Sequence, residues 1–330
     1  MKRVRLLTAV VVVLAALGAG LWWVWSAGPP LPAPQIVTIP AGAGRGDIAR
    51  QLEQAGVVRS AVGFELWCWL HPGGSLKAGV YRFGGGESVP AVYRTLNRGR
   101  FYTVAVVVPE GYNRFDIARE LDRLQLATAD AFLAASADPT SIRDLDPAAV
   151  SLEGYLFPAT YRIMPTTPVD QIVHMMTHRF RQEVQLDHPA PGTLHQWVTL
   201  ASLIEKETAV AAERPLIAGV FTNRLQRGLE LQCDPTVIYA ALLAHAYTGS
   251  LHRVDLDRPS PYNTYRQPGL PPGPIANPGH AALEAAAHPA PTDYMYFVSN
   301  GAGAHRFAVT LAQQQRNVAL YLAERKHGGG

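Results

Sequence analysis

Two glutamates, Glu205 and Glu207, stand one residue apart in the string Trp197-Val-Thr-Leu-Ala-Ser-Leu-Ile-Glu-Lys-Glu-Thr208. A carboxyl group can act as acid, base or nucleophile, and its surroundings decide which. The string reads as part of a long amphipathic helix running from about Thr193 to Ala212. At about 100° per residue, Glu205 falls inside the sector occupied by Trp197, Val198, Ala201 and Ile204. Glu207 falls on the other margin of that sector, and Lys206 points away. An apolar environment disfavours the ionised carboxylate, which is how a glutamate is kept protonated as a general acid. Glu205 is therefore the candidate acid. The two side chains diverge by about 160° on this wheel, too far for an acid–nucleophile pair at about 5.5 Å. Chemistry here would rest on one acid, or would borrow a second group from elsewhere or from the substrate. The plainer reading of a glutamate bordering an apolar stripe is a salt bridge.

Other constellations are missing from the sequence. It has no His-Glu-x-x-His, no Gly-x-Ser-x-Gly and no P-loop. Its eleven histidines are scattered, so no metal or cofactor is expected. Cys68 and Cys233 fit no metal-ligand spacing and read as two buried, unpaired thiols. Polar residues do cluster in short strings: Glu153-Gly-Tyr155-Leu-Phe-Pro158, Gln232-Cys-Asp234-Pro-Thr236 and Tyr262-Asn263-Thr264-Tyr265. Asp234 would be the N-cap of a helix over 237–243, with Pro235 at its first position. Tyr262, Asn263 and Tyr265 lie in a proline-rich stretch, 259–278, that can be neither helix nor central strand. Ordered loops of that length are usually functional.

The elements that must position these residues follow from composition and periodicity. The chain has 330 residues and 48% hydrophobic residues, enough for two domains, and its 17% charged residues exclude a disordered polyelectrolyte. Its net charge is +3. Lys2, Arg3 and Arg5 account for all of it. Subtracting them from the 29 Lys and Arg leaves a balance with the 26 Asp and Glu. A nucleic-acid binder would carry its excess on the folded body, so none is expected as a partner. The charge instead precedes an uncharged apolar run, Leu6 to Trp25, closed by Trp22, Trp23 and Trp25. Twenty helical residues reach about 30 Å, the thickness of a bilayer core. The run reads as a single membrane anchor with a cytoplasmic N-terminus; a cleaved signal peptide is the alternative, although its apolar core is usually shorter.

Prolines 29, 30, 32 and 34 predict a stiff stalk. Pro40–Leu52 then recurs as Pro109–Leu121, identical at eight of thirteen positions. Each copy follows a strand signal and opens an amphipathic helix, with Ile48/Leu52 and Ile117/Leu121 four residues apart on one face. The repeated Arg and Asp read as capping and surface residues. Between the copies, Gly79–Phe83 reads as a strand and Val89–Leu96 as a short helix, so that a strand–helix–helix–strand module of about fifty residues makes a small binding domain. The second half reads as strand 160–164, helices 169–184, 193–212, 214–225 and 281–287, strand 294–298 and helix 311–324. The expected fold class is α+β. The expected order is a tail at 1–5, an anchor at 6–26, a stalk at 27–35, a module at 36–103, a catalytic domain at 104–324 and a tail at 325–330.

Taken together and in order, the strings Glu153–Pro158, Ala201–Thr208, Gln232–Tyr239, Ser260–Tyr265 and Pro268–Gly279 resemble the YceG-like family of endolytic murein transglycosylases. The likeness runs from the anchor to near residue 320. It implies a bacterial enzyme anchored in the inner membrane and facing the periplasm, with a LysM-like module before the catalytic part. The implied reaction cleaves nascent peptidoglycan strands between MurNAc and GlcNAc and leaves 1,6-anhydro-MurNAc ends, terminating glycan elongation as a lyase. The family's catalytic glutamate is assigned to Glu205, and substrate contacts are expected from Glu153, Tyr155, Gln232, Asp234, Tyr262, Asn263 and Tyr265. Peptidoglycan is the implied partner, and association with peptidoglycan synthases stays open. Cys233 departs from the small hydroxyl residue usual in the motif, and Ala159 from an acidic one. Two other readings remain: a non-catalytic wall-binding scaffold, and a hydrolytic glycosidase pairing Glu205 with Asp234 or Glu213.

Overall fold

The computed structural model describes residues 2–28, 30–184 and 193–327. Met1, Pro29 of the stalk, the Gly192 read as preceding the long helix and the three terminal glycines lie outside them. The chain divides into two units, Met1–Val104 with Arg162–Thr166, and Ala105–Tyr161 with Thr167–Gly330.

In the first unit, α1 (Lys2–Trp25) has exposed apolar side chains along its length. Among the described residues it is the one helix long and apolar enough to cross a membrane. The stalk reading is corrected: strand β1 covers Pro30–Ile39, so the prolines lead directly into a sheet. Proline suits extended backbone where no ladder N–H is needed, and the register breaks between Pro30 and Gln35. After α2 (Arg45–Gln54) and α3 (Ala61–Leu70), β2 (Gly79–Gly85) pairs antiparallel with β1, Gln35 opposite Phe83 and Ile39 opposite Gly79. Helix α4 (Val89–Arg98) ends on Gly99, whose left-handed φ of 67° closes it. Ile48, Leu52, Phe64, Tyr81, Val92 and Leu96 form the core.

The chain continues with β3 (Val104–Val107), α5 (Arg114–Arg123), α6 (Ala129–Ala137), β4 (Thr160–Ile163) and α7 (Val169–Val184), of which α5, α6 and α7 lie wholly in the second unit. Then come α8 (Leu194–Glu207), α9 (Arg214–Gln226), α10 (Asp234–Leu243), the short α11 (Arg253–Leu256) and α12 (His280–Ala287). Strands β5 (Tyr296–Ser299) and β6 (His305–Ala308) form an antiparallel hairpin, and α13 (Leu311–His327) follows it.

The internal echo is a structural repeat. Gly42 and Gly111 take φ of +79° and +77°, and α2 and α5 bury Ile48, Ala49, Leu52 and Ile117, Ala118, Leu121. The repeated Asp and Arg pair on the surface as Asp47–Arg50 and Asp116–Arg119.

Helix α8 is the axis of the second unit. Every residue from Trp197 to Ile204 is buried, against α9, α10 and α12. Thr193 and Gln196 form a capping box at its start. Its end comes earlier than the periodicity suggested. Thr208 leaves the helix at φ −143°, its hydroxyl accepting from the Val210 N–H and donating to Glu213. That local turn outcompetes another helical residue, so Glu207 is the last residue of α8.

Candidate active site

The polar strings converge on α8 from two sides. On one side is a buried scaffold. Asn277 is wholly buried and satisfies four groups. Its Nδ2 donates to Tyr112 O (2.9 Å) and Glu153 Oε1 (3.1 Å), and its Oδ1 accepts from the Gly154 and Leu156 N–H groups (2.9 Å each). Glu153 also accepts from the Arg114 N–H at 3.0 and 3.2 Å. Burial pushes its carboxyl up to about 7. Gly154 sits at φ +88°, and a Cβ there would lie 2.5 Å from Pro274 Cγ. Tyr155 is fully buried and donates to Asp146, which also holds His195 Nδ1 at 2.8 Å. His195 Nε2 is 2.8 Å from Pro272 O, and the Ile275 N–H donates to Ser202 Oγ at 3.1 Å. The loop 268–279 is thereby strapped to α8.

On the other side is a cleft of about 480 Å³ lined by Glu207, Arg224, Gln232, Asp234, Tyr265, Tyr296 and His305, among others. Tyr265 Oη donates to Asp234 Oδ1 at 2.5 Å. Gln232 holds a left-handed φ of 54°, and its Oε1 accepts from Arg224 at 3.1 Å. Strain of that kind concentrates where a side chain must be aimed. His305 is fixed at Nδ1 by Glu213 Oε2 (2.7 Å), while its backbone N–H donates to Glu213 Oε1 (2.8 Å). Glu213 also binds the Thr208 hydroxyl at 3.2 Å, so one carboxylate ties the cleft histidine to the turn that ends α8.

The two glutamates of the central string separate clearly. Glu205 has a side chain 6% exposed and does not line this cleft. Its Oε2 accepts from the Gly279 N–H at 3.1 Å and its Oε1 lies 3.5 Å from Arg214, which also stands 4.0 Å from Glu110. Burial raises its pKa, against the pull of the Gly279 amide and Arg214. The contact with Arg214 is a salt bridge at the edge of the apolar stripe. Glu207, like Glu205 of intermediate exposure as a whole residue, lines the cleft. Burial pushes its carboxyl up to about 7, the hydrogen bond from the Cys233 thiol pulling it down and the Asp234 charge pushing it further up. The negative end of the α8 dipole, where Glu207 sits, acts in the same upward direction.

Of the residues expected from sequence, Gln232, Asp234 and Tyr265 share the cleft with Glu207. Glu153 and Tyr155 do not line it. Their buried polar atoms bind protein groups. Tyr262 is 9% exposed with its ring 5.2 Å from Tyr239. Asn263 is fully buried, its Nδ2 donating to Leu256 O and Arg258 O at 2.9 Å each. These two residues build the loop and leave Tyr265 to reach the cleft. Asp234 is corrected as well: it opens α10 as its first residue after Cys233, and its carboxylate serves Tyr265 instead of a cap. Both cysteines are free and buried. Cys233 stands directly against Glu207, and burial raises its own pKa well above the usual thiol range.

Arg224, Tyr296 and His305 were missed from sequence. The alternation His305-Arg-Phe-Ala308 was a weak strand signal, and the stop at Thr208 was the clue that Glu207 ends its helix.

The sequence profile of the YceG-like family matches residues 37–320. A Bacillus subtilis (strain 168) protein named endolytic murein transglycosylase is 33% identical over 309 residues, covering 88% of this chain and 85% of that protein. A Streptococcus pneumoniae (strain R6) protein of the same name is 32% identical over 319 residues, covering 87% of this chain and 58% of that longer relative. Among solved structures, a yceG-like protein from Listeria monocytogenes is similar at 32% identity and a TM-score of 0.56, over 86% of this chain and 98% of that one.

Proposed function

The chain belongs to the YceG-like family, and from that premise we propose that it is an endolytic murein transglycosylase in which Glu207, in place of Glu205, is the single acid–base residue. The observation that carries the reading is a carboxyl held near neutrality by burial, lining a cleft beside Gln232, Asp234 and Tyr265. Protonated Glu207 gives its proton to the glycosidic oxygen between MurNAc and GlcNAc as the C1–O bond breaks. The muramyl C6 hydroxyl attacks C1, and its proton passes to the carboxylate that remains. The products are a free GlcNAc hydroxyl and a 1,6-anhydro-MurNAc end. Nucleophile and leaving group both belong to the substrate, so one protein carboxyl serves both transfers. Arg224 and the Asp234–Tyr265 pair supply the polar edges that a sugar needs, and Tyr296 an aromatic face.

In this reading α1 is a single-pass anchor with a cytoplasmic N-terminus, and the body is extracytoplasmic. The strand–helix–helix–strand unit at 36–103 is a LysM-like wall-binding module, and 104–324 is the catalytic domain that ends glycan elongation. Purified glycan strands and mass spectrometry of their ends test the assignment. Glu207→Gln should lose anhydro-ended products by about 10²–10⁴-fold or more, with the melting temperature preserved. Glu205→Gln should retain them. The reverse pattern would return the acid to Glu205. A hydrolase is the second reading, because Asp234 shares the cleft with Glu207; reducing ends in place of anhydro ends would establish it.

A further inference from the structure

Helix α3 has an unusual surface. Its inner face buries Ala61, Gly63, Phe64 and Cys68. Its outer face is also apolar: Val62 is 76% exposed, Trp69 72% and Leu70 48%, with Leu66 partly covered. Val62, Leu66 and Trp69 are spaced i, i+4, i+7 and so form one stripe. A helix apolar on both faces belongs inside a core or in contact with lipid. Glu65 flanks the stripe but turns toward α2, where its Oε1 lies beside Gly46 near the Arg50 guanidinium.

The position of α3 identifies which lipid. Val4–Trp25 of α1 rises about 33 Å, enough to carry Trp25 to the far interface of a bilayer whose core is about 30 Å thick. Trp25 Nε1–H donates to Gly63 O at 2.9 Å, and its ring meets Trp67 edge-on with centroids 5.2 Å apart. Gly63 permits the approach: a Cβ there would lie 2.1 Å from Val24 Cγ1. Arg59, which precedes α3, stacks on Trp23 at 4.8 Å and donates to Ala27 O at 2.8 and 3.1 Å. The last turn of the span is thus packed against the helix that carries the exposed stripe.

We propose that α3 is an interfacial helix, whose Val62–Leu66–Trp69 stripe, with Leu70, lies in the leaflet from which α1 emerges. The surface matches that partner: a short apolar stripe with tryptophan at its end, which favours the headgroup–acyl boundary. The consequence is that the first unit is held against the membrane by two contacts and does not swing freely on α1.

The inference rests on the anchor reading, and the test separates the two. Full-length protein carrying Val62→Cys, Trp69→Cys, Arg94→Cys or Leu14→Cys is labelled with an environment-sensitive fluorophore. Cys68 and Cys233 are buried, and the parent protein measures any background from them. Each variant is reconstituted in phosphatidylethanolamine–phosphatidylglycerol vesicles, with and without shallow- or deep-brominated phosphatidylcholine. Labels at 62 and 69 should emit blue-shifted light, be quenched by the shallow bromines and lose quenching by aqueous iodide. The label at Arg94, exposed on α4, should behave oppositely, and the label at Leu14 should be quenched by the deep bromines. If 62 and 69 match 94 while 14 is quenched by lipid, the anchor stands and the proposal is overturned. Protection of 62 and 69 from both quenchers means that a protein covers the stripe, and also overturns it. Without lipid quenching at 14, both readings fall.

Discussion

Replacing the Cys233 thiol by a hydroxyl should move the pH dependence of the enzyme in a direction set by one hydrogen bond. The thiol donates to Glu207, whose carboxyl lies at about 7 against an ordinary 4.5. At pH 7 an ordinary glutamate would be about 0.3% protonated, whereas Glu207 is about half protonated. Burial, outweighing the pull of Cys233 and His305, therefore raises the population of the acid form on the order of 10²-fold. A thiol is a weak donor, and a hydroxyl in its place favours the ionised carboxylate more strongly. A gain of about 1.4 kcal/mol in a hydrogen bond to a charged acceptor is ordinary and lowers the pKa by about one. In Cys233→Ser the acid form at pH 7 then falls to about a tenth, and the alkaline limb of kcat/KM moves down by about one pH unit. Cys233→Ala removes the donor and should move the limb upward. The assay is the rate of anhydro-end formation from purified strands between pH 5 and 9, with circular dichroism at each pH. Profiles of both variants that superimpose on the parent would refute the reasoning, because Glu207 would then not be the titrating acid.

Three further outcomes are expected. Glu205→Gln keeps the acceptor for the Gly279 N–H but removes the charge facing Arg214, so thermal unfolding should show a loss of about 1–3 kcal/mol while strand cleavage persists. His195 bonds Asp146, which raises its pKa against the effect of burial, and its other ring nitrogen meets Pro272 O. A raised histidine contributes stability that is fully present below its unfolded value, about 6.5, and is lost as pH rises through the folded value. The melting difference between the parent and His195→Gln should accordingly be widest near pH 6 and narrow on alkalinisation. Gly154→Ala should cost about 2–4 kcal/mol in denaturant unfolding, since the new Cβ meets Pro274 at a backbone φ of +88°.

The order of elements was largely legible in the chain because it depends on local spacing. Ile48/Leu52 and Ile117/Leu121 mark helical faces, and the run to Trp25 marks a membrane-length helix. The repeat of Pro40–Leu52 at Pro109–Leu121 became a repeat of turn and helix. Short elements were less legible. Strand β6 has four residues, and the proline segment from Pro30 reads equally as stalk or strand until Gly85 is found opposite it.

The site divides in the same way. Its strings were visible in sequence, and so was the fact that Glu205 and Glu207 face different sides of one helix. A helical wheel ranks faces by apolarity and carries no record of what stands opposite. Arg214, Glu110 and the Gly279 amide meet Glu205, whereas Cys233, Gln232, Asp234 and the β5–β6 hairpin surround the side that holds Glu207. Those partners come from up to about 100 residues away along the chain. The amino-acid sequence alone determined that a carboxyl on α8 would be available. Only the tertiary structure decided which one faces a cleft and which one faces an arginine, because burial beside a weak thiol donor and the Asp234 charge keeps a carboxyl protonatable, whereas a guanidinium pulls a buried carboxyl toward its ionised form.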